Sequence, residues 1–172
     1  EQALDNAVRL MQEGGSMMVK LEGNEGQLRV VEYLAKHDIP VCAHLGLKPQ
    51  SVHKIGGFKV QGRDNAIAKQ MAQDAKTLQS AGADIILLEC VPNEVGQNIT
   101  KLVDVPVIGI GAGPHVDGQI LVLYDVLGIT QGRLPRFVKN FMDGAESPLA
   151  ALGAYVNAVK TGTYPAKEHC FS

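Results

Sequence analysis

A chain of 172 residues is long enough for one domain with a substantial core. Its composition, with 45% apolar and 20% charged residues, is typical of globular proteins. The formal net charge of −2 provides no basic surface, so we expect neither nucleic acid nor a membrane as a partner. There is no apolar stretch of transmembrane length and no secretory leader, and the three cysteines lack metal-type spacing, which favours a reduced, cytoplasmic environment.

Helical and strand patterns alternate along the chain, judged from the spacing of apolar residues. In chain order the patterns predict a helix over 2–12, a strand over 16–21, a helix over 27–36, a strand ending near 44, a helix over 65–80, a strand over 85–88, a helix over 94–102, a strand leading into the GIGAG turn at 109–113, a strand over 119–123, and helices over 134–142 and 149–160. The segment 48–63 lacks clear periodicity and predicts a long loop, and such loops in compact domains are often functional.

Strands that alternate with helices predict a parallel sheet covered by helices. A doubly wound sheet usually has its glycine-rich turn after an early strand, whereas GIGAG follows the fourth predicted strand of five. In a (β/α)₈ TIM barrel, functional residues come from the carboxyl ends of several strands, and Lys20, Glu22, His44 and Glu89 fit that pattern. We therefore predict an α/β fold, a single domain over residues 1–172 that is the C-terminal portion of a TIM barrel. Roughly three βα units, about 80–100 residues, would be missing on the N-terminal side, and the absence of an initiator Met at Glu1 agrees with a fragment.

Glu89 is the one acid in an otherwise apolar predicted strand. An ionised carboxylate in an apolar interior costs several kcal/mol unless it is paired or hydrogen-bonded. Its position alone favours a salt-bridged acid at a strand end, with a catalytic base as the alternative.

Several motifs of this chain resemble those of the ketopantoate hydroxymethyltransferases. They are MVKLEG (18–23), PVCAHLGLKPQSV (40–52), GGFKVQGR (56–63), LLECVP (87–92), PVIGIGAGPHVDGQILVLYDVLG (106–128) and GTYPAKEHCFS (162–172). The resemblance implies a barrel of the phosphoenolpyruvate/pyruvate type. It also implies transfer of a hydroxymethyl group from methylenetetrahydrofolate to 3-methyl-2-oxobutanoate, giving 2-dehydropantoate in pantothenate biosynthesis, with Mg²⁺ as the cofactor that stabilises an enolate.

The resemblance also implies roles for four residues. Glu89 matches the base that removes a proton from the substrate, and Lys20 matches the lysine that binds the substrate's carboxylate or enolate oxygen. Glu22 matches an acid at the magnesium, and His44 a substrate-binding or orienting histidine. The alternatives are structural: a Lys20–Glu22 ion pair, a helix-start acid at Glu22 and a hydrogen-bonded core histidine at His44.

The chain departs from the family pattern because two metal-binding aspartates, one of them in a Gly-Asp-Ser turn, have no counterpart here. We expect only part of a metal site, and we expect this chain alone to be inactive and poorly folded. By resemblance we also expect a homo-oligomer, a decamer-like ring, acting on small-molecule substrates.

Three other functions remain open from the sequence. The first is a carbon–carbon lyase of the same barrel superfamily, although the loop at 48–63 lacks the cysteine expected of such lyases. The second is a phosphate-binding barrel in which GIGAG cradles a phosphate at a helix N-terminus. The third is an inactive fragment with only an interaction role.

Overall fold

The computed structural model describes residues 1–23 and 25–172 as a five-stranded parallel sheet with helices packed against it. The helices are α1 (Gln2–Gln12), α2 (Leu28–Ala35), α3 (Val52–Ile55), α4 (Asn65–Ser80), α5 (Asn93–Leu102), α6 (Leu123–Val126) and α7 (Pro148–Lys160). The strands are β1 (Val19–Glu22), β2 (Val41–Gly46), β3 (Ile85–Glu89), β4 (Val107–Ile110) and β5 (Gly118–Gln119). No helix in these ranges is long and apolar enough to cross a bilayer.

The strands lie in the order β1-β2-β3-β4-β5, and every neighbouring pair is parallel. A doubly wound sheet reverses its strand order at a switch point, whereas a barrel adds its strands in sequence order around one circle. The predicted α/β fold is therefore confirmed, and the five strands form an arc of a (β/α)₈ barrel.

Each face of the sheet has its own apolar cluster. One face packs against α1, α2, α4 and α5 through a large core that includes Val41, Ile86, Leu88 and Val107, all fully buried. The other face, which lines the inside of a barrel, carries a smaller cluster: Cys42, Leu47, Leu87, Cys90, Ile110 and Phe137. Strands buried on both faces explain why their sequences read as continuous apolar runs.

Helix α4 has the predicted bounds because its local signals agree. The Asp64 carboxylate caps it by accepting from the backbone N–H groups of Ala66 and Ile67, at 2.8 and 3.2 Å. Met71, Ala75 and Leu78 then bury one face of the helix against the sheet.

Two predicted elements are wrong and a third is incomplete. Residues 134–142 form no helix. Phe137 and Phe141 have helical spacing, but they are buried in two separate clusters by an irregular segment that Tyr164 fixes through a hydrogen bond to the Phe137 carbonyl. The strand predicted over 119–123 ends at Gln119, and α6 begins at Leu123. The segment 48–63 is only partly a loop, since it contains a one-turn 3₁₀ helix and α3.

Candidate active site

The three predicted acid and histidine residues lie together at the carboxyl ends of β1, β2 and β3. The register pairs Glu22 with His44 and Gly46 with Glu89. Because side chains alternate along a strand, Lys20, Glu22, His44 and Glu89 all occupy the face that lines the inside of a barrel. The sheet therefore places a lysine, two carboxylates and an imidazole on one surface.

His44 lies between the two carboxylates, and its side chain is fully buried. Its Nε2 is 3.2 Å from Oε2 of Glu89, and its Nδ1 is 3.9 Å from Oε1 of Glu22. Neither ring nitrogen has a hydrogen-bond partner of good geometry among the described residues, so the short contact to Glu89 is close but poorly aligned. The two carboxylates are partly open, at 15% and 16% side-chain exposure, and they lie above the buried ring.

The backbone after Glu89 turns sharply and is held at several points. Cys90 has a left-handed conformation with φ of 50°, which non-glycine residues rarely adopt. Its N–H donates to the Ile110 carbonyl at 2.9 Å, and its carbonyl accepts from the N–H of Gln61 at 2.8 Å. Such conformations persist only where the surroundings fix them, and they cluster at functional sites.

Gly46 lies opposite Glu89 and allows β2 and β3 to approach closely. It has φ of +93°, and a Cβ atom added there would lie 2.2 Å from the Glu89 carbonyl oxygen. The next residue, Leu47, donates its N–H to that same oxygen at 2.8 Å. A side chain at position 46 would therefore displace the strand end that holds Glu89.

The thiol of Cys90 is a buried neighbour of this site. Burial, with a smaller contribution from the negative charge of Glu89, raises the pKa of Cys90 to about 12. Cys90 therefore stays protonated at neutral pH and packs as an apolar side chain beside the carboxylate.

Lys20 lies on the same face, two residues before Glu22, but it is exposed. In the described part of the chain, no ion pair joins it to Glu22. Its ammonium lowers the pKa of Cys42, although burial of that thiol has the larger, opposite effect and the net shift is upward. An exposed lysine on the same face as the two carboxylates can receive an anionic ligand.

The residues that the structure describes do not by themselves make a magnesium site. Within residues 1–23 and 25–172, no group of three His, Cys, Asp or Glu side chains could hold a metal ion. Glu22 offers one carboxylate, whereas Mg²⁺ seeks near-octahedral coordination by oxygen atoms.

The GIGAG turn does not form the phosphate cradle of the alternative phosphate-binding function. No helix follows it directly; Pro114 to Asp117 lead into β5 instead. Gly113 lies against Asn93 at the start of α5, but the N–H of Asn93 already donates to the carbonyl of Phe171 at 3.0 Å. That helix N-terminus is therefore occupied by the chain itself, which removes the main support for the phosphate-binding function.

Three residues of interest escaped the sequence analysis. The close approach at Gly46 and the left-handed Cys90 depend on register and backbone geometry, which no local pattern shows. Asp74 is different, because it lies on the apolar face of the predicted helix together with Met71 and Leu78. A carboxylate at a core position of an amphipathic helix was a visible signal.

Comparison with known proteins gives one family. The family model for ketopantoate hydroxymethyltransferase matches residues 1–167. The chain is 60% identical over 171 residues to the 3-methyl-2-oxobutanoate hydroxymethyltransferase of Alkalilimnicola ehrlichii, covering 99% of this chain and 62% of that protein. It is 54% identical over 167 residues to the protein of the same name from Nitrosococcus oceani, covering 97% of this chain and 63% of that protein. The chain thus spans less than two thirds of the length of these relatives.

Among solved structures, a chloride-inhibited dihydrodipicolinate synthase from Acinetobacter baumannii complexed with pyruvate matches 94% of this chain and 55% of its own chain, with a TM-score of 0.49 and 16% identity.

Proposed function

The chain belongs to the ketopantoate hydroxymethyltransferase family, and we propose that it carries the base for hydroxymethyl transfer from methylenetetrahydrofolate to 3-methyl-2-oxobutanoate. The observation that carries the proposal is the Glu89 carboxylate, partly open at a strand end and 3.2 Å from a fully buried imidazole. A general base must be accessible to substrate and held in a fixed position, and Glu89 meets both conditions.

In the proposed reaction, Glu89 takes the proton from C3 of the keto acid, and the C–H electrons form the enolate. Hydrolysis of methylenetetrahydrofolate breaks both bonds from its methylene carbon to the folate nitrogens and gives formaldehyde and tetrahydrofolate, with the oxygen supplied by water. The enolate carbon then bonds to the formaldehyde carbon, the C=O electrons move to oxygen, and that oxygen takes up the proton held by Glu89 to give 2-dehydropantoate. Lys20 binds the carboxylate or the enolate oxygen of the substrate, since a lysine ammonium favours negative charge as it develops.

His44 has a positioning role in this proposal. Its ring is fully buried beneath the carboxylates, so it supports Glu89 from behind while the open side of Glu89 faces the substrate. A direct contact between His44 and the substrate stays a prediction. Glu22 completes the row on the other side of the ring, 3.9 Å from Nδ1.

The proposal extends to the cofactor, the assembly and the compartment. Mg²⁺ would stabilise enolate charge as a Lewis acid, but only together with oxygen ligands from outside this chain. We propose a homo-oligomer in the cytoplasm, which the family resemblance supports.

The test is an assay of hydroxymethyl transfer by the extended protein, meaning this chain expressed with the flanking coding sequence of its gene. We expect 2-dehydropantoate to form only with both the keto acid and methylenetetrahydrofolate. Glu89→Gln should lower the rate by roughly 100-fold or more, as expected for loss of a general base. Glu94→Gln, an exposed charge change five residues later, is the matched control and should act like wild type.

Carbon–carbon bond cleavage of a longer α-keto or α-hydroxy diacid, without folate, would favour the lyase instead. No turnover from a folded extended protein would leave only the interaction role.

A further inference from the structure

A cavity of about 200 Å³ lies behind the candidate active site, on the helix-covered side of β2. Its floor and walls come from the strand end, the loop that follows it and the first half of α4. The lining residues are Gly23, Leu45, Gly46, Lys48, Gln61, Ile67, Gln70, Met71 and Asp74. The cavity is smaller than the roughly 300–1,000 Å³ of sites that hold a whole drug-sized ligand, so it fits one ring system.

Asp74 gives this cavity a charged group that the fold does not explain. Asp74 is only 7% exposed, and one oxygen of its carboxylate accepts a hydrogen bond from Nε2 of Gln70 at 2.8 Å. Among the described residues, no Lys or Arg forms an ion pair with it, although Lys48 lines the same cavity. A buried carboxylate with one neutral partner among residues 1–23 and 25–172 is costly unless further donors reach it.

The other lining groups define the chemistry of a complementary ligand. Leu45, Ile67 and Met71 are apolar walls that suit the faces of a flat ring. Asp74 accepts hydrogen bonds only, and a carboxylate pairs best with two parallel N–H donors. Lys48 is a donor that suits a carbonyl oxygen. A ligand with N–H donors toward Asp74, an acceptor toward Lys48 and a ring between the apolar side chains would complement this lining.

The cavity adjoins the candidate active site through glycines. Gly23 and Gly46 stand at the ends of β1 and β2, and the register places Gly46 directly opposite Glu89. No side chain at either position separates the cavity from the face that carries Glu89. A ligand seated here would extend over the strand ends toward the keto acid.

We propose that this cavity binds the pterin ring of the folate that donates the one-carbon unit, with Asp74 accepting from its 2-amino group and N3–H. The inference rests on the proposed function, because it names the site of that reaction's second substrate. Asp74 is a binding residue in this proposal and takes no part in proton abstraction.

The experiment measures binding of 6-methyltetrahydropterin and of tetrahydrofolate to the extended protein by calorimetry, in wild type and Asp74→Asn. Loss of a charged acceptor should weaken both ligands by roughly 10- to 100-fold. Asp64→Asn is the matched control, because it removes the same charge from the same helix outside the cavity, and Asn caps a helix as well as Asp does. It should bind as wild type does.

A second variant covers the case in which Asp74→Asn does not fold. Ile67→Trp fills the cavity from a position that is 52% exposed, so folding should tolerate it, and it should also weaken the pterin by about tenfold or more. Wild-type pterin affinity in whichever of the two variants folds would overturn the proposal. Displacement of bound tetrahydrofolate by p-aminobenzoylglutamate, with no displacement by 6-methyltetrahydropterin, would overturn the proposal too.

Failure of this inference is separable from failure of the proposed function. Deuterium exchange into 3-methyl-2-oxobutanoate depends on Glu89 and not on the cavity, so Asp74→Asn should exchange within about twofold of wild type. An extended protein that shows no exchange but binds pterin through Asp74 would refute the proposed function alone. An extended protein that exchanges normally, but binds the pterin equally well in wild type and Asp74→Asn, would refute the cavity proposal alone.

Discussion

Nε2 of His44 lies 3.2 Å from Oε2 of Glu89, and this contact joins a fully buried ring on β2 to the carboxylate that ends β3. The opposite nitrogen faces Glu22 at 3.9 Å. The buried imidazole thus forms the floor of the site and the two partly open carboxylates form its upper surface.

Replacing His44 tests that arrangement. His44→Leu removes both ring nitrogens and should lower the rate of keto-acid deprotonation by about 10- to 100-fold, the usual effect of losing a supporting contact behind a reactive group. His44→Gln keeps an N–H that can reach Glu89 and should recover most of the rate. The measurement is kcat and KM for deuterium exchange in the extended protein, with kcat affected more than KM. Equal losses in the two variants would argue for a packing role only.

Gly46→Ala should damage the site through its backbone. The added Cβ would meet the Glu89 carbonyl oxygen at 2.2 Å, whereas Gly57, also at positive φ, has no atom within 4 Å of such a Cβ. Both substitutions introduce left-handed strain, but only Gly46→Ala adds the clash. It should therefore lower the free energy of unfolding of the extended protein, measured in urea, by about 1–3 kcal/mol more than Gly57→Ala does. Equal losses of unfolding free energy in the two variants would show that the close approach of Gly46 to Glu89 does not affect stability.

The raised pKa of Cys90 predicts a loss of stability in alkali. Burial and the Glu89 charge raise this pKa from 9.0 to about 12, so the unfolded chain releases the thiol proton at lower pH than the folded chain. The stabilisation is complete below pH 9 and falls as pH rises from there toward 12, by about 1.4 kcal/mol per pH unit for one proton.

Urea unfolding of the extended protein at several values between pH 8 and 11 measures this slope. In Cys90→Ala, the free energy of unfolding should decline less steeply with pH, by the contribution of about one proton. Part of the decline should remain, because burial also raises the pKa values of Tyr155, Tyr164 and Cys42. The control is Val91→Ala, which removes a fully buried apolar neighbour without removing a titrating group. It should lower stability by a similar amount at every pH, and an unchanged slope in Cys90→Ala would contradict the account.

Sequence patterns identified most of the fold because local and tertiary preferences agree there. The apolar strands at 85–88 and 106–110 and the capped helix at 65–80 form nearly as predicted, since each buries the face that its sequence makes apolar. The segment around Phe137 and Phe141 was wrongly predicted as a helix, because two buried aromatic residues four positions apart resemble one helix face. Only the tertiary structure shows that they enter different clusters.

The candidate site was predictable in its residues but not in its geometry. An acid at the end of an apolar strand and a histidine at the end of another suggest a shared edge, and the family resemblance added their roles. The contact between His44 and Glu89 depends on strand register, since a shift by one residue would move one of them to the helix-covered face. Their roles in catalysis stay predictions.

Magnesium binding should distinguish this chain from the extended protein. The described residues offer Glu22 and no cluster of three ligands, so titration calorimetry of this chain alone, on samples whose folding is verified by circular dichroism, should show no saturable Mg²⁺ binding. The extended protein should bind Mg²⁺, and Glu22→Gln should weaken that binding by about tenfold or more, because a charged oxygen contact is lost. Saturable binding by this chain alone would show that its own residues suffice.

The central claim is that Glu89 is the enolising base, and deuterium exchange at C3 of 3-methyl-2-oxobutanoate tests it most directly. The extended protein, supplied with Mg²⁺ and no folate, should exchange this proton with D₂O, and Glu89→Gln should reduce the rate by roughly 100-fold or more while leaving the fold intact. Exchange that persists in Glu89→Gln at the wild-type rate, in a folded protein, would contradict the account and leave Glu89 as a structural partner of His44.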